Sequence, residues 1–330
     1  MNTVMSWATG IGYKQVVKPI LFKIEAEKVH ESFLKIGEQL GTSQLTKGFI
    51  SYLYNYQDPM LSQMIHEVAF PAPVGLAAGF DYDAQLTQMI PSLGFGYHTV
   101  GTVTYGAYEC NASPMLGRLP KSKSLMVNKG FKSAGVQAIV NKLSRLTFSI
   151  PLGISVGSTN KEYSSIDEQL EEYVYAFEHI LAVDLGAYYE VNISCPNLKR
   201  NPFDDPTVLD KLLSKVDDLE IKKPIFIKMP IDKSLTEFAD LLEIIIKHSV
   251  TGVIIGNLAK DRSNPALIKH EVSKFTKGNF SGKPTWEKSN QLISHTYKNY
   301  SDRLIIIGCG GIFNALDAYE KLKRGASLVQ

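Results

Sequence analysis

The 330-residue sequence is poor in the features that mark several large classes of protein. It has only three cysteines, Cys110, Cys195 and Cys309, and no CxxC or HExxH spacing, so we expect neither a disulfide framework nor a metal site. Its 35 basic residues nearly balance its 33 acidic ones, which argues against a nucleic-acid partner. It contains no run of 18 apolar residues and no signal-peptide pattern at the N-terminus, which predicts a protein kept in the reducing cytosol.

From residue 74 onward the sequence alternates short apolar runs with longer amphipathic stretches. Apolar residues make up 44% of the chain, enough for a large core. Nearly continuous apolar runs are typical of parallel strands covered on both faces, and eight of them alternating with helices predict a (β/α)8 TIM barrel over residues 74–330. The eight runs are Val74–Ala78, Tyr97–Val103, Ile150–Val156, Tyr188–Ile193, Pro224–Met229, Val250–Ile255, Leu304–Ile307 and Ser327–Val329. The competing doubly wound sheet would need a GxGxxG turn, which Gly75–Gly79 lacks.

The eighth run is followed only by Gln330, with no helix after it. Because strand eight of a barrel must pair with strand one, this predicts either a truncated chain or an incompletely closed barrel, and we favour truncation.

Residues 1–73 do not follow this alternation and predict a separate helical extension. Glu25–Leu40 carries apolar residues at helical spacing, and Leu45–Tyr56 is rich in aromatic residues. Such helices either pack on the barrel or lie in a membrane interface, where they would form the mouth for an apolar ligand. The pattern alone favours packing.

Small residues and amides dominate the carboxyl ends of the predicted strands, where barrel enzymes place their reacting groups. Paired carboxylates and histidine clusters are missing there, which argues against a glycosidase or a metal hydrolase. The set suits a planar polar cofactor, with Lys228 as a cation beside a ring that gains charge on reduction. Gly308–Gly311, ahead of a helix, could present backbone N–H groups to a phosphate. Cys195, flanked by polar residues and Pro196, is a candidate base.

These motifs, in this order, resemble those of the dihydroorotate dehydrogenases over nearly the whole chain. The matching segments are GLAAGFD (75–81), GFGYHTVGTVT (94–104), the NKGF–GV stretch (128–136), VNISCPN (191–197), IKMP (227–230), VIIGN (253–257), FSGKP (280–284), IIGCGGI (306–312) and GASLVQ (325–330). Residues 22–42 resemble the extension of the membrane-associated, quinone-using class.

The resemblance implies FMN-dependent oxidation of (S)-dihydroorotate to orotate in pyrimidine biosynthesis, with electrons passed to a quinone. The extension would then form the quinone tunnel and contact the cytoplasmic side of the cell membrane as a peripheral protein. Cys195 falls on the position of the base that takes the C5 proton. Residues implied to bind the flavin are Ala78, Gly79, Thr102, Asn192, Lys228, Gly282 and Gly311. Residues implied to bind the substrate are Asn128, Gly130, Phe131, Asn192, Asn197 and Asn257.

The sequence departs from the family pattern at several of these sites. Cys195 stands where the quinone-using class has serine, as in the soluble class that uses fumarate or NAD. Tyr82 replaces an expected lysine, for which Lys129 is a possible substitute. The other departures are Val127, Ser155, Gly256 and Leu258. Two alternatives therefore stay open: a soluble-type electron acceptor, and a divergent barrel that binds flavin or pyrimidine without turnover.

Overall fold

A computed structural model describes residues 3–199 and 201–330 and places a parallel barrel at the centre of the molecule. The strands are β1 (Gln63–Ile65), β2 (Val68–Phe70), β3 (Gly75–Leu76), β4 (Tyr97–Thr104), β5 (Leu116–Leu119), β6 (Ser124–Val127), β7 (Leu152–Gly157), β8 (Tyr188–Asn192), β9 (Ile225–Met229), β10 (Gly252–Ile255), β11 (Asn279–Gly282), β12 (Ile305–Gly308) and β13 (Leu328–Val329). The helices are α1 (Thr3–Gly12), α2 (Lys18–Leu21), α3 (Ala26–Gly41), α4 (Gln44–Tyr54), α5 (Val136–Leu143), α6 (Ile166–Leu181), α7 (Pro206–Asp217), α8 (Leu235–Ile245), α9 (Lys269–Val272), α10 (Lys283–Tyr300) and α11 (Ala315–Lys323).

The predicted (β/α)8 barrel is confirmed, and each of the eight apolar runs overlaps one of its strands. Parallel pairing joins the strands in the order β3, β4, β7, β8, β9, β10, β12, β13. The last strand is short, and it meets the first through one parallel bridge between Val74 and Val329. The Tyr97 hydroxyl donates a hydrogen bond of 2.8 Å to the Val329 carbonyl, which supports this junction from inside the barrel.

Aromatic side chains close the amino-terminal end of the barrel. Phe70, Tyr97, Tyr188 and Phe226 are fully buried and pack edge to face or tilted, with ring centroids 5.4–6.2 Å apart. Phe70 comes from the antiparallel hairpin of β1 and β2, which lies under this end. The floor of the barrel is therefore solid, and open space for a ligand lies at the carboxyl ends of the strands.

A three-stranded antiparallel sheet, which the sequence analysis did not predict, lies outside the barrel ring. It consists of β5, β6 and β11, with β6 in the centre. Its buried face carries Leu119, Met126 and Phe280, which pack with residues from the α9 region. Because β6 leads directly into residues 128–131, this sheet positions a segment that the resemblance assigns to substrate binding.

The extension contains the two predicted helices, α3 and α4, and a further helical segment that the sequence analysis missed. That segment comprises α1, a π-helical stretch at Tyr13–Val17, and α2. Leu34 of α3 packs against Leu86 and Ile90 of the barrel. In the described part of the chain no helix is both long and apolar enough to cross a membrane. The division of the chain into functional units at residue 73 stays a prediction.

Candidate active site at the carboxyl end of the barrel

Three neighbouring strands end in polar side chains that bond to one another. The Asn192 side chain at the end of β8 donates a hydrogen bond of 2.9 Å to Thr102 Oγ1 on β4, and Thr102 lies 3.0 Å from Ser155 Oγ on β7. Thr102 and Asn192, both predicted cofactor residues, therefore lie together. Ser155, a departure from the family pattern, completes the network that orients them.

The loop after β3 carries Ala78 and Gly79 to the edge of this network. The Gly79 amide donates to the Gly101 carbonyl at 2.8 Å, and Gly79 has a φ of +102°, which favours glycine. A Cβ on Gly79 would have no atom within 4 Å, so the backbone here faces open space. This loop leaves room for a planar group to approach the main chain.

Behind the same loop lies a buried acid and imidazole. Asp81 accepts hydrogen bonds from the amides of Gln85 and Leu86, at 2.7 and 2.9 Å. His98 Nε2 lies 3.3 Å from the carboxylate but makes no hydrogen bond. Burial raises the pKa of Asp81 to about 6 and lowers the pKa of His98 to about 3. The His98 ring is therefore neutral at physiological pH. Asp81 and His98 together support the loop that carries Ala78 and Gly79 from its buried side.

Lys228 is a buried cation without a protein partner in the described part of the chain. It is the penultimate residue of β9, directly opposite Asn192 of β8, and it is only 4% exposed. No hydrogen bond or ion pair joins its ammonium group to any residue that the structure describes. Because a lysine is rarely buried without compensation, this arrangement indicates a site for an electron-rich or anionic ligand.

Cys195 lies at the same end of the barrel and is 8% exposed. Burial raises the pKa of its thiol to about 11, while the Asn197 backbone amide and the positive charges of Lys228 and Lys260 act in the opposite direction. The thiol is therefore protonated at neutral pH and becomes a base only after losing that proton. The positive charge of Lys228 therefore acts on the Cys195 thiol, so the structure brings these two predicted site residues near each other.

The predicted substrate amides belong to a wider cluster of asparagines. Asn111 donates to Asn128 Oδ1 at 3.3 Å and to the Asn197 carbonyl at 2.8 Å. Asn160 donates to Asn111 at 2.9 Å, and Asn279 donates to Asn197 at 2.7 Å. The sequence analysis did not identify Asn111, Asn160 or Asn279, whose positions depend on loops and on the unpredicted sheet.

The remaining predicted substrate residues lie on two sides of this cluster. Asn257 donates to Ser194 Oγ at 2.6 Å, and Ser194 donates to Asn192 at 3.2 Å, which links Asn257 to the strand-end network. Gly130 has a φ of +64° and lies against Asn111 and Asn160. Phe131 is buried against Gly157, at the end of β7.

The two glycines predicted to approach a phosphate lie together. Gly282 and Gly311 have φ values of +81° and +74°, and a Cβ on Gly311 would lie 3.3 Å from the Gly282 carbonyl oxygen. Gly282 is also the residue that precedes α10, an 18-residue helix. At this helix start the Lys283 amide already donates to the Lys123 carbonyl at 3.0 Å and Pro284 has no N–H, so an anion would be bound by the backbone amides that follow them.

The departures from the family pattern have identifiable surroundings. Gly256 has no room for a larger side chain, because a Cβ there would lie 2.7 Å from Ile231 Cγ2. The Val127 carbonyl accepts a hydrogen bond of 3.1 Å from the Asn197 side chain. The Leu258 amide donates to Asn257 Oδ1 at 2.8 Å. These backbone groups orient the two asparagines whatever side chains Val127 and Leu258 carry.

Tyr82 is buried, and the ammonium group of Lys129 lies 4.8 Å from the centre of its ring. Lys129 in turn pairs with Glu27 of α3 at 2.5 Å, and His30 of α3 contacts the Tyr82 ring edge-on at 5.6 Å. The sequence analysis missed Glu27 and His30. Their spacing on α3 places them on one face, but nothing in the sequence indicates which part of the barrel that face meets.

Comparison with known proteins gives a consistent result. A family model described as dihydroorotate dehydrogenase matches residues 60–330. Proteins named dihydroorotate dehydrogenase (quinone) include one from Trichodesmium erythraeum, 32% identical over 96% of this chain and 88% of that protein. Another, from Christiangramia forsetii, is 33% identical over 96% of this chain and 92% of that protein. The crystal structure of ligand-free dihydroorotate dehydrogenase from Eimeria tenella is 27% identical, with a TM-score of 0.74 over 87% of this chain and 88% of that one.

Proposed function

The chain belongs to the dihydroorotate dehydrogenase family, and from this premise we propose which of its residues carry the reaction. It is an oxidoreductase that converts dihydroorotate to orotate in pyrimidine biosynthesis and uses a quinone as electron acceptor. Enzymes of this family are flavin-dependent. The observation that carries the residue assignment is the buried Lys228, which has no partner among the described residues and lies beside Asn192 at the end of the barrel that also holds Cys195.

FMN is the flavin that fits these residues best. A ring with a phosphate tail requires open space, a positive charge and a backbone that admits the phosphate. Open space lies above Gly79, Lys228 is a buried cation, and Gly282 and Gly311 are a pair of positive-φ glycines. Ala78, Gly79, Thr102, Asn192 and Lys228 would contact the ring system. Gly282 and Gly311 would approach the phosphate. When bound, FMN supplies the hydride acceptor.

The protein's own part in the chemistry is to hold dihydroorotate and to remove its C5 proton. Cys195, as the thiolate, takes that proton, and Lys228 lowers the electrostatic cost of forming the thiolate. Asn128, Asn192, Asn197 and Asn257 orient the substrate through their amides, and hydrogen bonds to neighbouring side chains hold them in place.

Gly130 leaves room for the Asn160 side chain beside the substrate, since a Cβ there would collide with that side chain. Phe131 covers the substrate and excludes water from the reacting atoms.

The extension provides the quinone tunnel and a peripheral contact with the cytoplasmic side of the cell membrane. Its support is a set of large apolar side chains that remain exposed on α1 to α4 and the π-helical stretch. They include Trp7, Val16, Ile20, Phe33, Ile36, Leu45, Phe49 and Tyr52. Exposed apolar residues at this density mark a surface that contacts lipid or an apolar ligand.

The test is spectroscopic. The FMN-loaded protein is expected to be yellow, to bleach on anaerobic addition of dihydroorotate, and to regain its colour with a quinone analogue but not with fumarate or NAD. A protein that stays colourless after incubation with FMN would contradict the cofactor. Bound flavin that dihydroorotate fails to bleach would contradict the assigned catalytic residues. Sedimentation with phospholipid vesicles tests the membrane contact, and failure to sediment would contradict it.

A further inference from the structure

Two acid–lysine pairs join the extension to the loop that carries Gly130 and Phe131. Glu27 Oε1 lies 2.5 Å from Lys129 Nζ, and Glu31 Oε1 lies 3.3 Å from Lys132 Nζ. Glu27 and Glu31 are four residues apart on α3 and so share one helix face. Lys129 and Lys132 flank Gly130 and Phe131 on either side. The whole loop is therefore attached to α3 at both of its ends.

The Glu27–Lys129 pair is the stronger of the two attachments. The Lys129 side chain is 4% exposed and that of Glu27 is 16% exposed, whereas the side chains of Lys132 and Glu31 are 28% and 47% exposed. A buried ion pair is costly to break, because the remaining partner is left uncompensated. The position of Lys129 is fixed further by the ring of Tyr82, 4.8 Å from its ammonium group.

Small movements of this loop would reach the substrate directly. Gly130 lies beside Asn111 and Asn160, where there is no room for a side chain, and Phe131 is buried against Gly157. Both residues follow Lys129 directly in the chain, so a shift of the Lys129 backbone is passed on to them. An uncompensated Lys129 would either lose its proton or move toward water, and that movement would carry Gly130 and Phe131 with it.

We propose that α3 is a positioning element of the dihydroorotate site, acting through Glu27 and Glu31 on the loop that carries Gly130 and Phe131. This inference rests on the proposed substrate-binding role of those two residues. Because coupling between two parts of a protein is reciprocal, orotate that binds to the loop also stabilises the docking of α3. The extension is thus part of the pyrimidine site as well as a surface for the electron acceptor.

The experiment compares Glu27→Gln, Glu31→Gln and the double variant with a matched control, Glu38→Gln. Glu38 is on the same helix and pairs with Lys142 of α5 at 2.6 Å, outside the substrate loop. Orotate affinity is measured by isothermal titration calorimetry on the FMN-loaded proteins. Hydrogen exchange of the α3 amides is measured with and without orotate. If a glutamine variant does not fold, Lys129→Met removes the same ion pair from the barrel side.

We expect the Kd for orotate to rise about fivefold or more in Glu27→Gln, to rise further in the double variant, and to stay within about twofold of wild type in Glu38→Gln. Orotate should slow exchange in α3 of the wild type and of Glu38→Gln, but not of the double variant. Equal orotate affinity in the double variant and the wild type would overturn the inference. Equal weakening by Glu38→Gln would also overturn it, since that result indicates general loosening of α3. A wild-type protein that binds FMN but not orotate would instead overturn the proposed substrate site.

Discussion

The sharpest consequence of the site geometry concerns the pH dependence of the Cys195 base. Burial raises the pKa of its thiol to about 11. At pH 8 only about one thiol in a thousand is then a thiolate, and each further pH unit multiplies that fraction by about ten. Because the base acts only in its deprotonated form, the rate at which dihydroorotate bleaches the bound flavin should climb about tenfold per pH unit from about pH 7 to about pH 10.

The assay is anaerobic stopped-flow absorbance, which isolates this half of the reaction from quinone. Cys195→Ala should lower the bleaching rate by about 10²- to 10⁴-fold and abolish the steep pH dependence, since no base of this pKa remains. Cys195→Ser retains a proton acceptor of similar size and should retain part of the activity. An alanine variant with the wild-type rate, or with the wild-type pH slope, would refute the assignment of Cys195.

Three further predictions follow from buried groups. Lys228→Met should weaken FMN binding, measured by fluorescence titration, by about tenfold to a hundredfold. The same substitution should raise the Tm of the flavin-free protein, because it removes a buried charge that has no partner among the described residues. Unchanged FMN affinity would contradict the role of Lys228. Because the pKa of Asp81 is raised to about 6, this carboxyl lowers the free energy of unfolding as pH rises from about 4 to 6. Because the pKa of His98 is lowered to about 3, this imidazole raises the free energy of unfolding over the same range. The free energy of unfolding in urea is therefore compared with that of the wild type at each pH. As pH rises through this range, the difference should fall by about 1.4 kcal/mol per pH unit for His98→Gln and rise by as much for Asp81→Asn. Stability curves that run parallel to the wild-type curve would refute both expectations. Tyr97→Phe removes the hydroxyl that bonds the Val329 carbonyl at the barrel junction and should cost about 0.5–1.5 kcal/mol in unfolding free energy, whereas no loss would show that the junction does not depend on this hydrogen bond.

The barrel could be predicted from the sequence because its signal is local and repeated. Each strand is a short apolar run between helical patterns. A nearly continuous apolar run is the usual composition of a parallel strand that is buried on both faces. The antiparallel sheet of β5, β6 and β11 could not be found in this way. Its strands have four residues each, and β11 pairs with β6 across more than 150 residues of sequence. The helical segment at residues 3–21 was missed because its apolar residues are exposed rather than confined to one buried stripe.

The candidate site was predictable where its residues end strands, and less so where loops and the extension contribute. Thr102, Asn192 and Lys228 lie at strand ends, so the topology alone brings them together. Asn111 joins Asn128 and Asn197 from a loop with no motif of its own. Glu27 could be placed on a helix face from the sequence. Its pairing with Lys129 depends on how the extension packs on the barrel, and the spacing of apolar residues does not predict that packing.

The most direct test of the whole account is a crystal structure of the protein with FMN and orotate bound. The account predicts the flavin ring against Gly79, Thr102 and Lys228, with the C5 atom of orotate facing the Cys195 sulfur. A flavin bound elsewhere, or an orotate whose C5 faces away from Cys195, would contradict it.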